Sequence, residues 1–239
     1  MKMLLGHEWV DRDDTIDVRD PFDDSLIDTV PAANHDDVET ALATAYAARE
    51  TAREMTTYER AQVLYRTAAI IADQLEDFAT TIAREGSKTI NEARGEARRC
   101  VNTLTIAAEE AKRLQGETIP FDSFPGGEVR RGYYERVPIG VVLAITPFND
   151  PPNLVAHKLG PAIAGGNAVI LKPATVTPLS GLKLAEAFMQ AGLPSGVLQC
   201  ITGYGAVLGD ALVEDPRVRM VSFTGGVEAG ERIMSRVGL

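Results

Sequence analysis

The chain is poor in the residues that build metal centres and disulfide frameworks. Its 239 residues include two cysteines and three histidines. Cys100 and Cys200 match no metal-ligand spacing, and two thiols make no disulfide scaffold. His7, His35 and His157 are too scattered for a zinc centre, so no metal site is expected. Long apolar runs are missing too: none reaches the length of a membrane span. The opening stretch MKMLLGHEWVDRDD has too short an apolar core for a secretory signal. The expectation is a cytoplasmic protein with no membrane partner. Basic charge is also sparse. Asp and Glu total 34 against 24 Lys and Arg, a net charge of −10, which argues against a nucleic-acid partner. Ten of the first 40 residues are Asp, and only six of the 24 basic residues are Lys. That balance fits a salt-adapted protein kept soluble by hydrated carboxylates, or an ordinary acidic enzyme.

What is present suits a globular chain, 45% hydrophobic and 24% charged, long enough for one large domain or two small ones. There is no internal repeat and no low-complexity linker. TIDVRDPFDDSLIDTVPAA alternates apolar and polar residues about a Pro-Phe-Asp-Asp turn and predicts a β-hairpin. From Asn34, a cap-like residue followed by acids, the pattern becomes Ala-rich at helical spacing. Two more helices are expected. One lies in TYERAQVLYRTAAIIADQLEDFATTIAREG, either continuous or broken near Asp77. The other lies in INEARGEARRCVNTLTIAAEEAKRLQG, and each is closed by its terminal glycine. A Pro-Gly-Gly turn between alternating flanks, with Val129, Tyr133 and Val137 in the second, reads as an exposed two-stranded arm. Such an arm is a loop decoration or an interface edge.

Beyond it, strands and helices alternate. IGVVLAIT, GNAVILKP, GVLQCITG and VRMVSFTGG read as strands, with helices at 153–164, 178–191, 205–213 and from Glu228. Continuous apolar strands with short loops predict an α/β fold with a doubly wound parallel sheet. The expected organisation is one incomplete domain, 1–239: hairpin and helices at 1–116, the β arm at 117–136, and nucleotide-type βα units at 137–239. Ligands of such sheets bind at the carboxyl ends of the strands, here TPFND, KPATVTP, TGYGAVLG and FTGGVEAG. The fingerprint G-x-G-x-x-G is absent after the first strand. Gly203-Tyr-Gly205-Ala-Val-Leu-Gly209 is one residue too long for it. Gly225, Gly226 and Gly230 follow the fourth strand, where helical N–H groups near Gly226 would face a pyrophosphate. Glycines at such turns also occur for backbone reasons alone. Lys172, at the tip of the second strand, is either a solvated lysine or a donor to ribose hydroxyls or a ribose phosphate.

ITPFNDPPNLVAHKLGPAIAGGNAVILKPATVTPLSG, AGLPSGVLQCITG and VRMVSFTGGVEAGERI closely resemble the aldehyde dehydrogenase superfamily. So do HEWVDRDDTIDVRDPFDDSLIDTVPAA and RRGYYERVPIGVV, and the likeness runs in order along essentially the whole chain. It implies oxidation of an aldehyde to a carboxylic acid with NAD or NADP. In that chemistry a cysteine thiolate attacks the carbonyl, hydride passes to the nicotinamide, and a glutamate-activated water hydrolyses the thioester. The resemblance makes Asn149 the oxyanion donor, a neutral amide that stabilises charge without titrating; the alternative for Asn149 is a turn or helix cap. It places Ile145, Thr146, Pro147 and Phe148 beside the cofactor and Lys172 on its ribose. Gly209 and Asp210 fall on the adenosine side, and Phe223, Thr224, Gly225, Gly226 and Gly230 at the pyrophosphate turn.

Three departures matter. Thr175 stands where the family often has a ribose-chelating glutamate; a hydroxyl does not repel a 2′-phosphate and can donate to it, so NADP is expected to be accepted. Gly226 stands where Ser is usual, which removes one phosphate contact. Asp150 and Pro152 replace an aromatic and an aliphatic residue, which leaves the aldehyde undefined. Arg99 is a candidate for the substrate mouth, or it pairs on the helix surface, with Arg98, to Glu96 or Glu92. Lys158 and Glu186 read as structural. The family's nucleophile lies in a Gly-Gln-x-Cys segment and its base in a Glu-Leu-Gly-Gly segment. Neither string occurs here, and Cys100 and Cys200 fall on a predicted helix and a buried strand. The expectation is the cofactor-binding half, truncated before those segments and without turnover of its own. A non-catalytic nucleotide-binding or assembly fragment is the alternative. The partners implied are an aldehyde, a complementing C-terminal fragment and, at full length, further copies of the chain. The fourth strand is expected to leave an open sheet edge.

Overall fold

The computed structural model describes residues 1–237. Two short strands, β1 (Met3–Leu5) and β2 (Glu8–Val10), precede the hairpin of β3 (Thr15–Arg19) and β4 (Leu26–Pro31). Four helices follow: α1 (His35–Glu54), α2 (Thr57–Asp73), α3 (Leu75–Gly86) and α4 (Ile90–Ala111). The arm is a pair of three-residue antiparallel strands, β5 (Glu117–Ile119) and β6 (Gly132–Tyr134). The alternating part runs β7 (Val141–Ile145), α5 (Pro151–Ala164), β8 (Ala168–Lys172), α6 (Pro178–Gln190), β9 (Leu198–Cys200), α7 (Gly205–Val213), β10 (Val218–Phe223) and α8 (Val227–Arg236).

The main sheet has the order β10-β7-β8-β9-β1-β2. The pairs β7–β8, β8–β9 and β10–β7 are parallel. From β7 the chain steps outward through β8 to β9, then returns to lie on the other side of β7 as β10. Right-handed crossovers place α5 and α6 on one face and α7 on the other. Helix α1 packs on the sheet and against α7, and α2, α3 and α4 pack over α5 and α6. The parallel strands β7 and β8 are buried nearly throughout, as their unbroken apolar runs require. Only β7 pairs with β10 among the described residues, so the far edge of β10 is open.

Local signals explain the helix starts. Asn34, Thr56 and Thr89 each accept from the N3 amide while the N3 carboxylate, Asp37, Glu59 or Glu92, returns the bond to the cap, a capping box at three of the four N-terminal helices. Several boundaries differ from expectation. The break between α2 and α3 falls at Gln74 rather than Asp77. Ser87, not Gly86, adopts the left-handed conformation after α3, with φ 53°. Helix α4 ends at Ala111, well before Gly116. Strands β1 and β2 were not anticipated, because three residues carry no readable alternation. A tight turn at Gly6 (φ 66°) joins them. They are stitched to the sheet by the buried Gln199 carboxamide, which accepts from Gly6 N at 2.7 Å and donates to Gly6 O at 3.1 Å.

Candidate functional site

The strand order reverses at β7, so a crevice opens between the carboxyl ends of β7, β8 and β10, the place where open α/β sheets bind ligands. A cavity of about 540 Å³ lies there. It gathers Thr146, Pro147, Phe148 and Asn149 from the end of β7, Lys172 and Thr175 from β8, and Phe223, Thr224, Gly225 and Gly226 from β10. A second cavity of about 320 Å³ adjoins it and adds Ile145, Gly209 and Asp210. Thirteen of the residues singled out in the sequence therefore line two neighbouring cavities that share Lys172, Gly205, Phe223 and Ala229. Gly230 stands behind them: a Cβ there would lie 3.3 Å from the Phe223 ring.

The loop after β7 is set by proline. Pro151 and Pro152 occupy the first turn of α5, where a missing N–H costs nothing. The N-cap is Asp150, whose side chain makes no capping bond; Asn149 is exposed on the preceding loop and is not the cap. At the end of β8, Lys172 is only 6% exposed. Its ammonium donates to the Pro173 carbonyl at 3.3 Å. Burial alone acts on it and depresses its pKa from 10.5 to about 8. An ammonium held in low dielectric without a counter-charge is poised to pair with a bound acceptor. The Thr175 hydroxyl donates to Gly203 O at 3.0 Å, so its single proton is already committed. This differs from the expected free donor.

At the end of β10, Thr224 N donates to Ile145 O at 3.2 Å, continuing the ladder past the strand. Lys158 of α5 reaches the same point and donates to Thr224 Oγ1 at 2.8 Å, which fits its structural reading. Gly226 is the N-cap of α8 in extended conformation, without a side-chain cap. The first amides of α8 thus face the larger cavity, a site suited to an anion. The two glycines differ in their room. A Cβ on Gly225 would lie 2.5 Å from the Phe223 ring, whereas one on Gly226 meets nothing within 4 Å. Gly226→Ser should therefore be accommodated and add a hydroxyl donor, tightening binding of a phosphate ligand by about 2- to 10-fold. Gly225→Ala should displace Phe223 and weaken it. Titration calorimetry with NADP separates the two, and equal effects would contradict the account.

Glu228, Ala229, Arg232, Ile233 and Arg236 of α8 also line the smaller cavity and were not singled out. Their helical spacing toward the sheet was the available signal. Arg232 holds Asp210 at 2.8 Å, and the guanidinium pair keeps that carboxyl below the usual range. Asp210 is thereby engaged with α8.

Arg99 does not pair with Glu96 or Glu92. Glu92 serves the Thr89 cap, Glu96 binds Lys88 at 2.6 Å, and Arg99 reaches Asp150 at 3.3 Å. The reason is topological: α4 packs on α5, which brings Asp150 within its reach. Cys100 and Cys200 are both fully buried, and burial pushes both thiols far up. Neither lines either cavity. Among the described residues, no group of three or more His, Cys, Asp or Glu could hold a metal ion, and no helix is long and apolar enough to cross a membrane.

Comparison with known proteins adds a lineage to this geometry. A model described as "Aldehyde dehydrogenase family" matches residues 9–239. Aspartate-semialdehyde dehydrogenase 1 of Pseudomonas canavaninivorans is 49% identical over 224 residues, which is 94% of this chain and 47% of that protein. The 3-sulfolactaldehyde dehydrogenase of Priestia aryabhattai is 47% identical over 237 residues, 99% of this chain and 49% of that protein. Among solved structures, NADP-dependent glyceraldehyde-3-phosphate dehydrogenase from Bacillus halodurans C-125, complexed with NADP, superposes with a TM-score of 0.96 at 39% identity, covering all of this chain and 51% of that one. The chain thus spans about half the length of the relatives it matches.

Proposed function

The chain belongs to the aldehyde dehydrogenase family, and on that premise we propose that it supplies the NADP- or NAD-binding part of an aldehyde-oxidising enzyme. The observation that carries this reading is Lys172, a buried ammonium without a counter-charge, facing the cavities at the switch point of the sheet. The adenosine would lie between α7 and α8, its ribose against Lys172, and its pyrophosphate against the first amides of α8. The cofactor, when bound, accepts hydride from the substrate. NADP is accepted because the site presents no carboxylate at Thr175 to repel a 2′-phosphate, while Lys172 offers a cation beside it.

Asn149 would donate its amide to the oxygen of an aldehyde as charge develops there. Its neutrality suits that task, and the prolines on both sides limit how far it must reorganise. Arg99 lines neither cavity; paired with Asp150 at 3.3 Å, it would reach an anionic group only on a substrate that extends past Asn149 toward α4. Cys100 and Cys200 are unsuited to attack the carbonyl, since a buried thiol far from ionisation is no nucleophile. The thiolate and the base would come from outside these 239 residues, packed along the open edge of β10. The arm of β5 and β6, with Val129 and Tyr133 exposed, would join copies of the assembled protein. Two reduced thiols suit the cytoplasm.

The test is direct. The 239-residue protein should bind NADP at least as tightly as NAD in titration calorimetry, and should show no aldehyde-dependent reduction of either. Strong NAD preference would sink the Thr175 argument. Turnover abolished by Asn149→Ala would sink the assignment of the chain as the non-nucleophilic part.

A further inference from the structure

Asp150 sits between the candidate oxyanion donor and the first turn of α5, yet its side chain does not cap that helix. It turns instead to Lys88, which lies in the short connection between α3 and α4 and pairs with it directly. The same Lys88 ammonium binds Glu96 Oε2 at 2.6 Å. Glu96 is completely buried on α4, and its Oε1 has no hydrogen-bond partner among the described residues. On the outer side Asp150 also takes Arg99 at 3.3 Å. Two cations thus face two carboxylates, and the loop residue is the one shared by both cations. Burial alone would raise the Asp150 carboxyl, but the Lys88 bond and charge, with Arg99, hold it below its usual range, so it stays ionised and bonded.

We infer that Lys88 is a positioning residue: through Asp150 it anchors the Asn149 loop to the buried Glu96 of α4. Residues Phe148, Asn149 and Asp150 lie outside any strand or helix. Of the three only Asp150 makes a backbone bond among the described residues, its carbonyl accepting from Leu154 N at 2.9 Å, so Phe148 and Asn149 depend on what holds Asp150. Glu96 is an unusually firm anchor, because α4 packs against both α2 and α5 and its carboxylate cannot turn to solvent. The chain from Glu96 to Asp150 therefore fixes the loop from the helical layer, while Pro147 and Pro151 restrict its backbone from either end. The inference rests on the reading of Asn149 as a donor, but the loop's order can be measured without any chemistry.

Backbone ¹⁵N relaxation of the 239-residue protein reads that order at Phe148, Asn149 and Asp150. The wild type should give order parameters near about 0.85 there. Asp150→Ala leaves Lys88 paired with Glu96, so the fold is kept, and should drop Asn149 below about 0.6. Lys88→Met combined with Glu96→Gln, which avoids stranding a buried charge, should produce the same drop. Lys88→Arg should restore most of the order. In all variants the loops at 173–177 and 224–226 should keep their wild-type values, and NADP affinity should stay within about 2-fold. An unchanged Asn149 in Asp150→Ala would overturn the inference. So would a drop shared equally by the three loops, which would indicate general loosening. Failure to bind NADP in the wild type would instead count against the proposed function and leave the relaxation result standing.

Discussion

Lys172→Met is expected to make the protein more stable and its cofactor binding weaker at the same time. The two effects have one origin. In the free protein the Lys172 ammonium is buried, its pKa is depressed from 10.5 to about 8, and burial is the cause. Below pH 8 the folded state thus carries a charge it solvates poorly. The linked cost is about 3 kcal/mol at most, since each unit of depression corresponds to about 1.4 kcal/mol. Methionine has a similar length and no charge, so it should recover much of that cost at neutral pH. The wild type should gain stability as pH rises from about 8 to about 10.5, because there the unfolded chain holds a proton that the folded chain has released. The Met variant should lack that gain. Urea titrations at pH 7 and pH 9.5 measure both; a Met variant less stable than wild type at pH 7 would contradict the argument.

The binding side runs the other way. A ribose or phosphate oxygen next to the ammonium supplies the partner that the free protein lacks. A hydrogen bond to a charged group contributes about 1.5–3 kcal/mol, so Lys172→Met should raise the Kd for NADP by roughly 10- to 150-fold. Affinity in the wild type should fall as pH rises through about 8, since deprotonation removes the charge. The variant's Kd should be flat over that range. Unchanged affinity would remove Lys172 from the site altogether.

Much of this site was readable from the chain because the crevice of a parallel sheet collects strand ends, and each strand end sits next to an apolar run. Asn149, Lys172 and Gly225-Gly226 each follow one, so their convergence needed only the alternation of strands and helices. The residues that were missed act across long separations. Lys88 meets Asp150 62 positions away, and nothing in REGSKTI shows that the lysine faces a buried carboxylate. Glu96, in an Ala- and Arg-rich helix, reads as a surface residue, yet it is fully buried. The Thr175 hydroxyl looked free because Gly203, its acceptor, belongs to the next strand end. β1 joins the sheet by a single pairing with β9, Leu4 opposite Cys200, reinforced by Gln199, and three-residue strands leave no readable alternation. Periodicity reports which face of an element is buried; it does not report which polar groups from other elements meet there.

Glu85 is the clearest case of such a meeting, and it carries the second large effect. It belongs to α3 but its carboxylate accepts from Leu179 N at 2.8 Å and Ser180 N at 2.9 Å, the first amides of α6. That placement satisfies two donors and complements the helix dipole. It is also 1% exposed, and burial lifts its pKa from 4.5 to about 7 against the pull of those bonds. A raised carboxyl pKa means that the folded state holds its proton more tightly than the unfolded one. Its contribution is most favourable below about pH 4.5 and declines as pH rises through about 7, by up to about 3 kcal/mol. Glu85→Gln removes the titration. The carboxamide oxygen can accept only from one side while its NH₂ opposes the other amide, which costs about 1–3 kcal/mol. The variant should therefore be clearly less stable than wild type at pH 5, with the gap closing by pH 8. Comparing the two proteins cancels every other carboxylate, since those titrate in both. Parallel stability curves from pH 5 to pH 8 would show that Glu85 stays ionised throughout, with its two amide bonds outweighing its burial. Glu85→Ala should be worse at every pH, because it leaves both buried N–H groups without acceptors at the start of the helix that follows the Thr175 loop.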